Sequence, residues 1–448
     1  MGSYEKIFKA YDVRGIVPDE LDEDVAESVG AAFVRLTGAP SVVTVHDMRT
    51  SSRPLAEAFA RGAASQGADV IEGGLGSTDM LYYASGSLGM PGAMITASHN
   101  PAKYNGIKLC REGARPVGAD TGLIQLRDAA AQGLPPYHGT PGVIVQRDLL
   151  SGYASHLKKL VDLSAIRPLK VAVDAGNGMA GYTVPKVFEG LPITVVPLYF
   201  ELDGAFPNHE ANPIDPQNLR DLQRAVLDSE ADIGLAFDGD ADRCFVVDER
   251  GHIVSPSVLT ALIAVRELAR EPGATVIHNL ITSRAVPEII TEHGGIPVRT
   301  RVGHSFIKAR MAETGAVFGG EHSGHFYFRD FWYADSGMLA ALHVLAALGE
   351  QDAPLSSILA GYGRYVATGE INSEVADQAG ATARVRAEFA GRPGVTSDEL
   401  DGLTMTGDGW WFNLRPSNTE PLLRLNLEAT GEDTMLRLRD EVLGIVRG

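Results

Sequence analysis

Apolar positions in this chain gather into short runs rich in Val, Ile and Ala, and the stretches between them repeat their apolar residues at helical spacing. SVVTVHD at 41–47 predicts a strand, Ser52 to Gln66 a helix, and ADVIEGG a return to strand. The apolar run GAMIT at 92–96 follows and leads directly into a polar loop. A second cycle starts with the strand LKVAVDAG at 169–176, passes through the glycine-rich turn GNGMAG into an apolar helical stretch, and ends on ADIGLAF at 231–237. A third has a helix from Ser257 to Arg270, the strand TVIHNL at 275–280, a helix after Ser283, the turn VGHSFIK and the strand-like AVFGGE. A helical stretch then covers Asp335 to Leu348. Strands separated by helices predict parallel sheets covered by crossover helices, and so an α/β class.

From about Tyr365 the pattern changes to simple alternation, through WWFNLRPSNTEPLLRLNLEA, and closes on the helical DTMLRLRDEVLGIV. That stretch predicts a smaller α+β unit. The expected division is 1–145, 146–250 and 251–364 for three related-looking α/β domains, and 365–448 for the C-terminal one. A length of 448 residues exceeds what one hydrophobic core fills, which agrees with several domains.

Composition narrows the functional classes. Apolar residues make up 44% and charged residues 21%, the balance of a folded soluble chain. A net charge of −18 makes nucleic acid and anionic membrane poor partners, while leaving room for an anionic small substrate in a locally cationic pocket. The two cysteines, Cys110 and Cys244, form no CxxC pair and no zinc spacing, and they fit a reducing compartment. The start MGSYEKIFKAYDVRG contains no secretion or lipid-anchor pattern. The longest uncharged stretch, running on from Met80, is too broken by glycine, proline and polar residues for a membrane span. The cytoplasm is the expected setting.

The loops carry the chemistry. TASHNP sets Ser98 between Thr96, His99 and Asn100, at the place where open α/β sheets present ligand groups. It reads either as a hydrogen-bonded turn or as a serine that receives a phosphoryl group and needs electrostatic help rather than constant deprotonation. DGDADR packs Asp238, Asp240 and Asp242 into one short loop. The carboxylates repel one another without a cation, so a hard divalent ion, preferably Mg²⁺, is the reading set against an acidic surface turn. Arg243 beside them can neutralise phosphoryl oxygens.

RPSNTEP offers Arg415, Ser417, Asn418 and Thr419 as an anion cradle or as a plain turn, with Glu420 as its misfit. GGEHSGH offers Glu321, Ser323 and His325 for sugar hydroxyls, or a simple bend. Arg301, His304 and Lys308 in RVGHSFIK, Lys108 in NGIK and Arg14 in YDVRG either touch phosphate or are solvated or paired elsewhere.

In that order and across nearly the whole chain, TASHNP, DGDADR, GGEHSGH and RPSNTEP resemble the α-D-phosphohexomutase family, and within it the bacterial phosphomannomutases, some of which also act on phosphoglucose. The resemblance implies a heart-shaped architecture of three related α/β domains and a smaller α+β domain around a central cleft, each giving one loop. It implies a phosphoserine at Ser98, which would also ligate the metal with Asp238, Asp240 and Asp242. It assigns sugar 3- and 4-hydroxyls to Glu321 and Ser323, and the distal phosphate to Arg415, Ser417, Asn418 and Thr419. Arg14, Lys108, Arg243 and His304 resemble the family's basic residues near the reacting phosphate, and Arg301 stands where some relatives have Lys. His322 varies among relatives.

The expected reaction interconverts mannose 6-phosphate and mannose 1-phosphate through a hexose 1,6-bisphosphate, with Mg²⁺ as cofactor and no obligate protein partner. Mannose and glucose differ at carbon 2, so recognition at the 3- and 4-hydroxyls predicts activity on both. Rival readings are a phosphoglucosamine mutase, a phosphatase using the same serine and metal, and a non-catalytic phosphosugar-binding regulator.

Overall fold

The computed structural model describes residues 2–417 and 422–448, with side chains from Tyr4 onward. It contains four sheets in chain order. In the first, Ser41–His46 lies between Gly92–Ile95 and Asp69–Leu75, all parallel, and Ile144–Gln146 extends the far edge. Tyr104–Arg111 returns antiparallel beside Gly92–Ile95, followed by Val13–Ile16. The second sheet runs Ile193–Leu198, Leu169–Asp174 and Ile233–Phe237 in parallel, then returns antiparallel as Cys244–Asp248 and Ile253–Val254. The third repeats the plan with Ile296–Thr300, Thr275–Asn279 and Phe318–Gly320 parallel, and Phe326–Phe328 and Ala334–Asp335 antiparallel. The fourth is antiparallel throughout, from Val366–Glu374 to Thr396–Asp398. The protein is thus a four-domain α/β molecule.

One consequence positions the chemistry. In each of the first three sheets the last parallel strand turns back on itself, and that turn carries Ser98, Asp238–Asp242 and Glu321–Ser323 respectively. The fourth sheet makes the same move between Trp410–Pro416 and Leu422–Ala429. Four hairpin tips at strand ends hold the four motifs.

Local signals agree with most predicted elements. The helix Ser52–Ser65 and the helix Pro256–Arg270, with Ser255 capping and proline in its first turn, fall where the spacing puts them. VGHSFIK is the exception: from His304 it belongs to the helix His304–Thr314, not to a turn. Gly303 starts that helix and Gly315, in the left-handed conformation, ends it. Only Ile307, Lys308 and Met311 are buried on it, so its apolar face is too narrow for periodicity to reveal. The Asp335–Leu348 expectation is shifted: Asp335 closes a strand and the fully buried helix is Gly337–Gly349.

The core follows the domain plan. A single large cluster runs from Val43 and Val45 through Val171 and Leu235 to Leu345, joining the first three domains. The C-terminal domain has its own, built on Val385, Phe389, Phe412, Leu425 and Leu438. The junction of the first three is marked by one buried carboxylate. Asp79 accepts Tyr153 Oη at 2.7 Å and Ser336 Oγ at 2.6 Å, groups from the second and third units, as well as the Ser77 hydroxyl. Burial pushes its pKa up to about 6 despite those three donors.

A carboxyl raised in the folded state stabilises the fold fully below its unfolded pKa and loses that contribution as pH rises through the folded value. The wild type is therefore expected to lose about 2–3 kcal/mol relative to Asp79→Asn between pH 4 and pH 7, one pKa unit being worth about 1.4 kcal/mol. Urea unfolding of both proteins across that range checks it, and a pH-independent difference would contradict the assignment.

Candidate active site

Ser98 sits in the first hairpin tip with a left-handed φ of 50°, a conformation uncommon outside glycine. Thr96 Oγ1 accepts its backbone N–H at 2.9 Å, and its hydroxyl donates to Asp238 Oδ2 at 2.8 Å. The two motifs read separately in the sequence therefore meet. Their approach is close enough to require glycine: a Cβ on Gly239 would lie 2.4 Å from Ser98 O.

The metal loop is sealed from solvent, with Asp238 and Asp240 fully buried and Asp242 at 1% exposure. Lys108 Nζ reaches both Asp240 Oδ2 and Asp242 Oδ2 at 2.6 Å. Thr78 Oγ1 donates to the same Asp240 oxygen at 2.6 Å. Arg243 lies 3.4 Å from Asp238 Oδ2 through Nε, and its backbone N–H donates to Asp238 Oδ1. Burial acts to raise the pKa of Asp238 and of Asp240. Lys108 reverses this for Asp240, which stays well below the usual carboxylate range, whereas burial together with Asp242 and Asp240 pushes Asp238 up to about 8. For Lys108, burial disfavours the charge and the two aspartates more than restore it, so its pKa is raised.

Three carboxylates face two cations, and the shortfall has an address. Asp240 Oδ1 and Asp242 Oδ1 are buried without a hydrogen-bond partner, while ligand oxygens of all three aspartates lie within 4.8 Å of one another. An all-oxygen donor set of this kind fits a hard divalent cation, Mg²⁺ by preference.

The third tip adjoins the second. Arg243 and His325 form a β-bridge, and Cys244 N donates to Gly324 O at 3.2 Å. His325 Nδ1 is 3.0 Å from Asp335 Oδ2 and 3.9 Å from Asp242 Oδ1. Burial works against its charge, but Asp242 and Asp335 outweigh it and raise its pKa. Glu321, also buried, accepts Tyr327 Oη at 2.7 Å and Ser323 Oγ at 2.9 Å. Each carboxylate oxygen keeps a second acceptor site for a ligand hydroxyl.

His99, adjacent to Ser98, also reaches the site: its Nδ1 lies 3.1 Å from Ser98 Oγ and 2.8 Å from Arg243 Nη2. Arg243, then burial, holds its pKa well below the ordinary value, so Nδ1 acts as an acceptor. Arg14 donates to Ala97 O and Asn100 Oδ1 and pairs with Asp12, which ties it to the serine loop. His304 packs edge-on against Tyr11 at 4.7 Å, and burial with Lys308 drives its pKa down to about 3. Lys308 pairs with Asp335 Oδ1 at 2.7 Å and lies over the Tyr82 ring, so it supports the wall of the site. Arg301 is exposed with its guanidinium over Phe306, and no described contact brings it to the cluster.

In the fourth tip Arg415 is buried and Glu370 bridges it to Arg424, at 3.0 Å and 3.1 Å. Ser417 accepts from Arg424 Nη2 at 3.3 Å. Both Glu370 and Arg415 act electrostatically on His322, so the fourth tip faces the third. Asn418, Thr419 and Glu420 lie outside the described residues. Thr78, Asp335, Tyr327, Glu370 and Arg424 carry no motif of their own, and sequence reasoning passes over them. Arg424 stands one strand position from a readable signal, since it pairs across the hairpin with Arg415.

Comparison with known proteins agrees with this layout. The chain matches "Phosphoglucomutase/phosphomannomutase, alpha/beta/alpha domain I" at residues 5–130, domain II at 151–251, domain III at 256–365 and the C-terminal domain at 370–445. It is 41% identical over 444 residues to a Xanthomonas campestris protein named "Phosphohexose mutases", covering 98% of this chain and 99% of that one. It is 40% identical over 445 residues to a "Phosphomannomutase" of Escherichia coli K12, covering 97% of each. A crystal structure of a phosphoglucomutase/phosphomannomutase family protein from Burkholderia thailandensis superposes with a TM-score of 0.89 at 34% identity, covering 99% of this chain and 97% of that chain.

Asp240→Asn is expected to weaken Mg²⁺ binding by calorimetry at least about tenfold, because it removes charge from an all-oxygen site. Unchanged binding would move the cation elsewhere. Wild-type protein should also melt at higher temperature with saturating Mg²⁺, an effect lost in the variant.

Proposed function

The chain belongs to the phosphoglucomutase/phosphomannomutase family, and on that premise we propose that it is a phosphomannomutase. It interconverts mannose 6-phosphate and mannose 1-phosphate through a phosphoserine at Ser98 and a hexose 1,6-bisphosphate, and it turns over glucose phosphates as well. The observation that carries the reading is the serine hydroxyl 2.8 Å from the buried three-aspartate loop, with Lys108 across it. Sugar binding alone needs neither. The name phosphomannomutase on the Escherichia coli relative supports the substrate class. Buried, unpaired thiols at Cys110 and Cys244 fit a cytoplasmic setting.

In the proposed mechanism Asp238, Asp240 and Asp242 would hold Mg²⁺ beside the phosphate carried by Ser98. Bound there, the ion would neutralise charge on the transferring phosphoryl group. Arg243 and Lys108 supply positive charge from two sides, and Arg14 fixes the loop that carries the serine. His325 is the proton carrier that the geometry supports best. Its Nδ1 is oriented by Asp335, which leaves Nε2 for a sugar hydroxyl, and its raised pKa favours uptake of that proton. His304, held neutral, suits a hydrogen-bonding role rather than that of an acid.

Glu321 and Ser323 take the 3- and 4-hydroxyls, and Arg415 with Ser417, Asn418 and Thr419 takes the phosphate that stays. After the first transfer the bisphosphate turns over and returns its other phosphoryl group to Ser98. Because recognition centres on hydroxyls away from carbon 2, both epimers fit. The four units 1–145, 146–250, 251–364 and 365–448 would each supply one of these loops.

Purified active enzyme is expected to carry phosphate on Ser98 by intact mass and peptide mapping, and Ser98→Ala to fold but lose turnover. Normal turnover by Ser98→Ala would end the mechanism. Arg415→Ala should raise KM for mannose 6-phosphate more than it lowers kcat, since a phosphate that never reacts is bound equally in ground and transition states. Assays with bisphosphate-primed mannose, glucose and glucosamine 6-phosphates decide substrate class. Conversion of glucosamine phosphate alone would favour the phosphoglucosamine reading, and release of free phosphate the hydrolytic one.

A further inference from the structure

Against the backbone of the serine loop lies a buried guanidinium that the motifs do not contain. Arg49 is 3% exposed and follows the strand Ser41–His46. Its Nη1 donates to Pro101 O and Tyr104 O, both at 3.0 Å, and its Nη2 donates to Ser98 O at 2.9 Å and Asn100 O at 2.6 Å. Nε faces Asp47 Oδ2 at 3.3 Å, and Asp47 is itself held by Ser52 Oγ and Arg49 N. The other face of the guanidinium lies against the second domain, 5.0 Å from the Phe206 ring centroid. Gly204 in the same segment approaches so closely that a Cβ there would sit 2.6 Å from Arg49 Cα.

We infer that Arg49 is a positioning residue for phosphoryl transfer: it fixes the backbone of the Ser98 loop and so aims the serine oxygen at the metal loop. Four carbonyl oxygens, three from the serine loop and one from the first residue of the strand after it, converge on one guanidinium, and they repel one another unless a cation with several fixed donors lies between them. A guanidinium has five N–H groups in a rigid plane and can serve all four while pairing with Asp47. A lysine ammonium has three donors on a flexible stem and cannot. Ser98 is in turn held in a left-handed conformation that persists only when its surroundings over-determine it. The bond to Ser98 O acts on the very residue whose Oγ meets Asp238. The contact with Phe206 adds a second constraint, because the domain that carries the aspartates also braces the clamp on the serine loop. Serine and metal loop are thereby held in register through the Arg49 clamp as well as through their own hydrogen bond.

The inference rests on the phosphoserine reading, and the experiment separates the two. Wild type, Arg49→Lys, Arg49→Ala and Phe206→Ala are each phosphorylated with glucose 1,6-bisphosphate, the phosphorylated fraction is read by intact mass, and kcat and KM for mannose 6-phosphate are normalised to it. A misplacement of about 1 Å at a reacting atom costs roughly 100-fold in rate. Arg49→Lys is therefore expected to lose about 30- to 100-fold in normalised kcat, with KM within about threefold. It should also release more inorganic phosphate per turnover as the loosened loop admits water. Phe206→Ala should lose several-fold in normalised kcat in the same direction. A merely structural role would lower melting temperature and active fraction while leaving normalised kcat and phosphate release unchanged, and that result in Arg49→Lys overturns the inference. Should Arg49→Ala fail to fold, Arg49→Lys, which keeps a cation beside Asp47, decides alone. Absence of phosphate on wild-type Ser98 would instead overturn the phosphoserine reading.

Discussion

Three carboxylates on one hairpin tip, each essentially without solvent, set the terms for the rest of the molecule. Like charges in a dry site cannot all ionise unless cations stand beside them, and a buried charge left alone costs several kcal/mol. Lys108 comes from the first domain and Arg243 from the metal loop itself. They leave two carboxylate oxygens without partners, and the rise of Asp238 to about 8 expresses the same deficit. A divalent cation bound there would remove the deficit, and the phosphoryl group proposed for Ser98 would then meet a site already electrically prepared for it.

That concentration of charge needs groups from several domains, and the repeated topology supplies them. Each α/β unit ends its parallel run on a strand that turns back antiparallel, so each presents one tip at the same relative position. A loop there is fastened at both ends by sheet hydrogen bonds, which limits its freedom more than a helix-to-strand connection would. The continuous core from Val43 to Leu345 and the buried Asp79 junction then hold three tips against one another. Precision at the site is a property of the packing between units.

Strands and motifs were legible because they are local. SVVTVHD, LKVAVDAG and ADIGLAF each combine β-branched runs with polar stops, and the structure forms strands within them at Ser41–His46, Leu169–Asp174 and Ile233–Phe237. The run DGDADR favours a cation over an acidic surface turn because its carboxylates repel one another, and the structure brings those carboxylates together. What was not legible depends on partners distant in the chain. Nothing near Lys108 says that it closes on Asp240 and Asp242, and nothing near Asp79 says that it joins Tyr153 to Ser336. Arg49 looks like an ordinary arginine after a strand until four carbonyls are found on its fork. The helix His304–Thr314 escaped because its buried face is only three residues wide, one of them a lysine paired with Asp335.

The fourth domain is held by a different kind of contact, and the proposed reaction explains why that is useful. Its core is separate from the others, and it meets the third domain through Arg299 to Asp398 at 2.7 Å, Val302 N to Asp401 at 3.1 Å, and a small patch of Leu280, Ile281 and Trp411. The exposed Arg299–Asp398 pair contributes about 0–1 kcal/mol. Arg284 N–H also donates to the buried Glu428 at 3.0 Å, but no core cluster of the size shared by the other three spans this junction among the described residues. A bisphosphate that must turn end over end needs space, whereas the transfer steps on either side of that turn need water excluded. Three domains locked together keep serine, metal loop and sugar loop in register throughout. A fourth with its own core, to which the proposed reaction gives the unreactive phosphate, would then be free to move away and return without disturbing them.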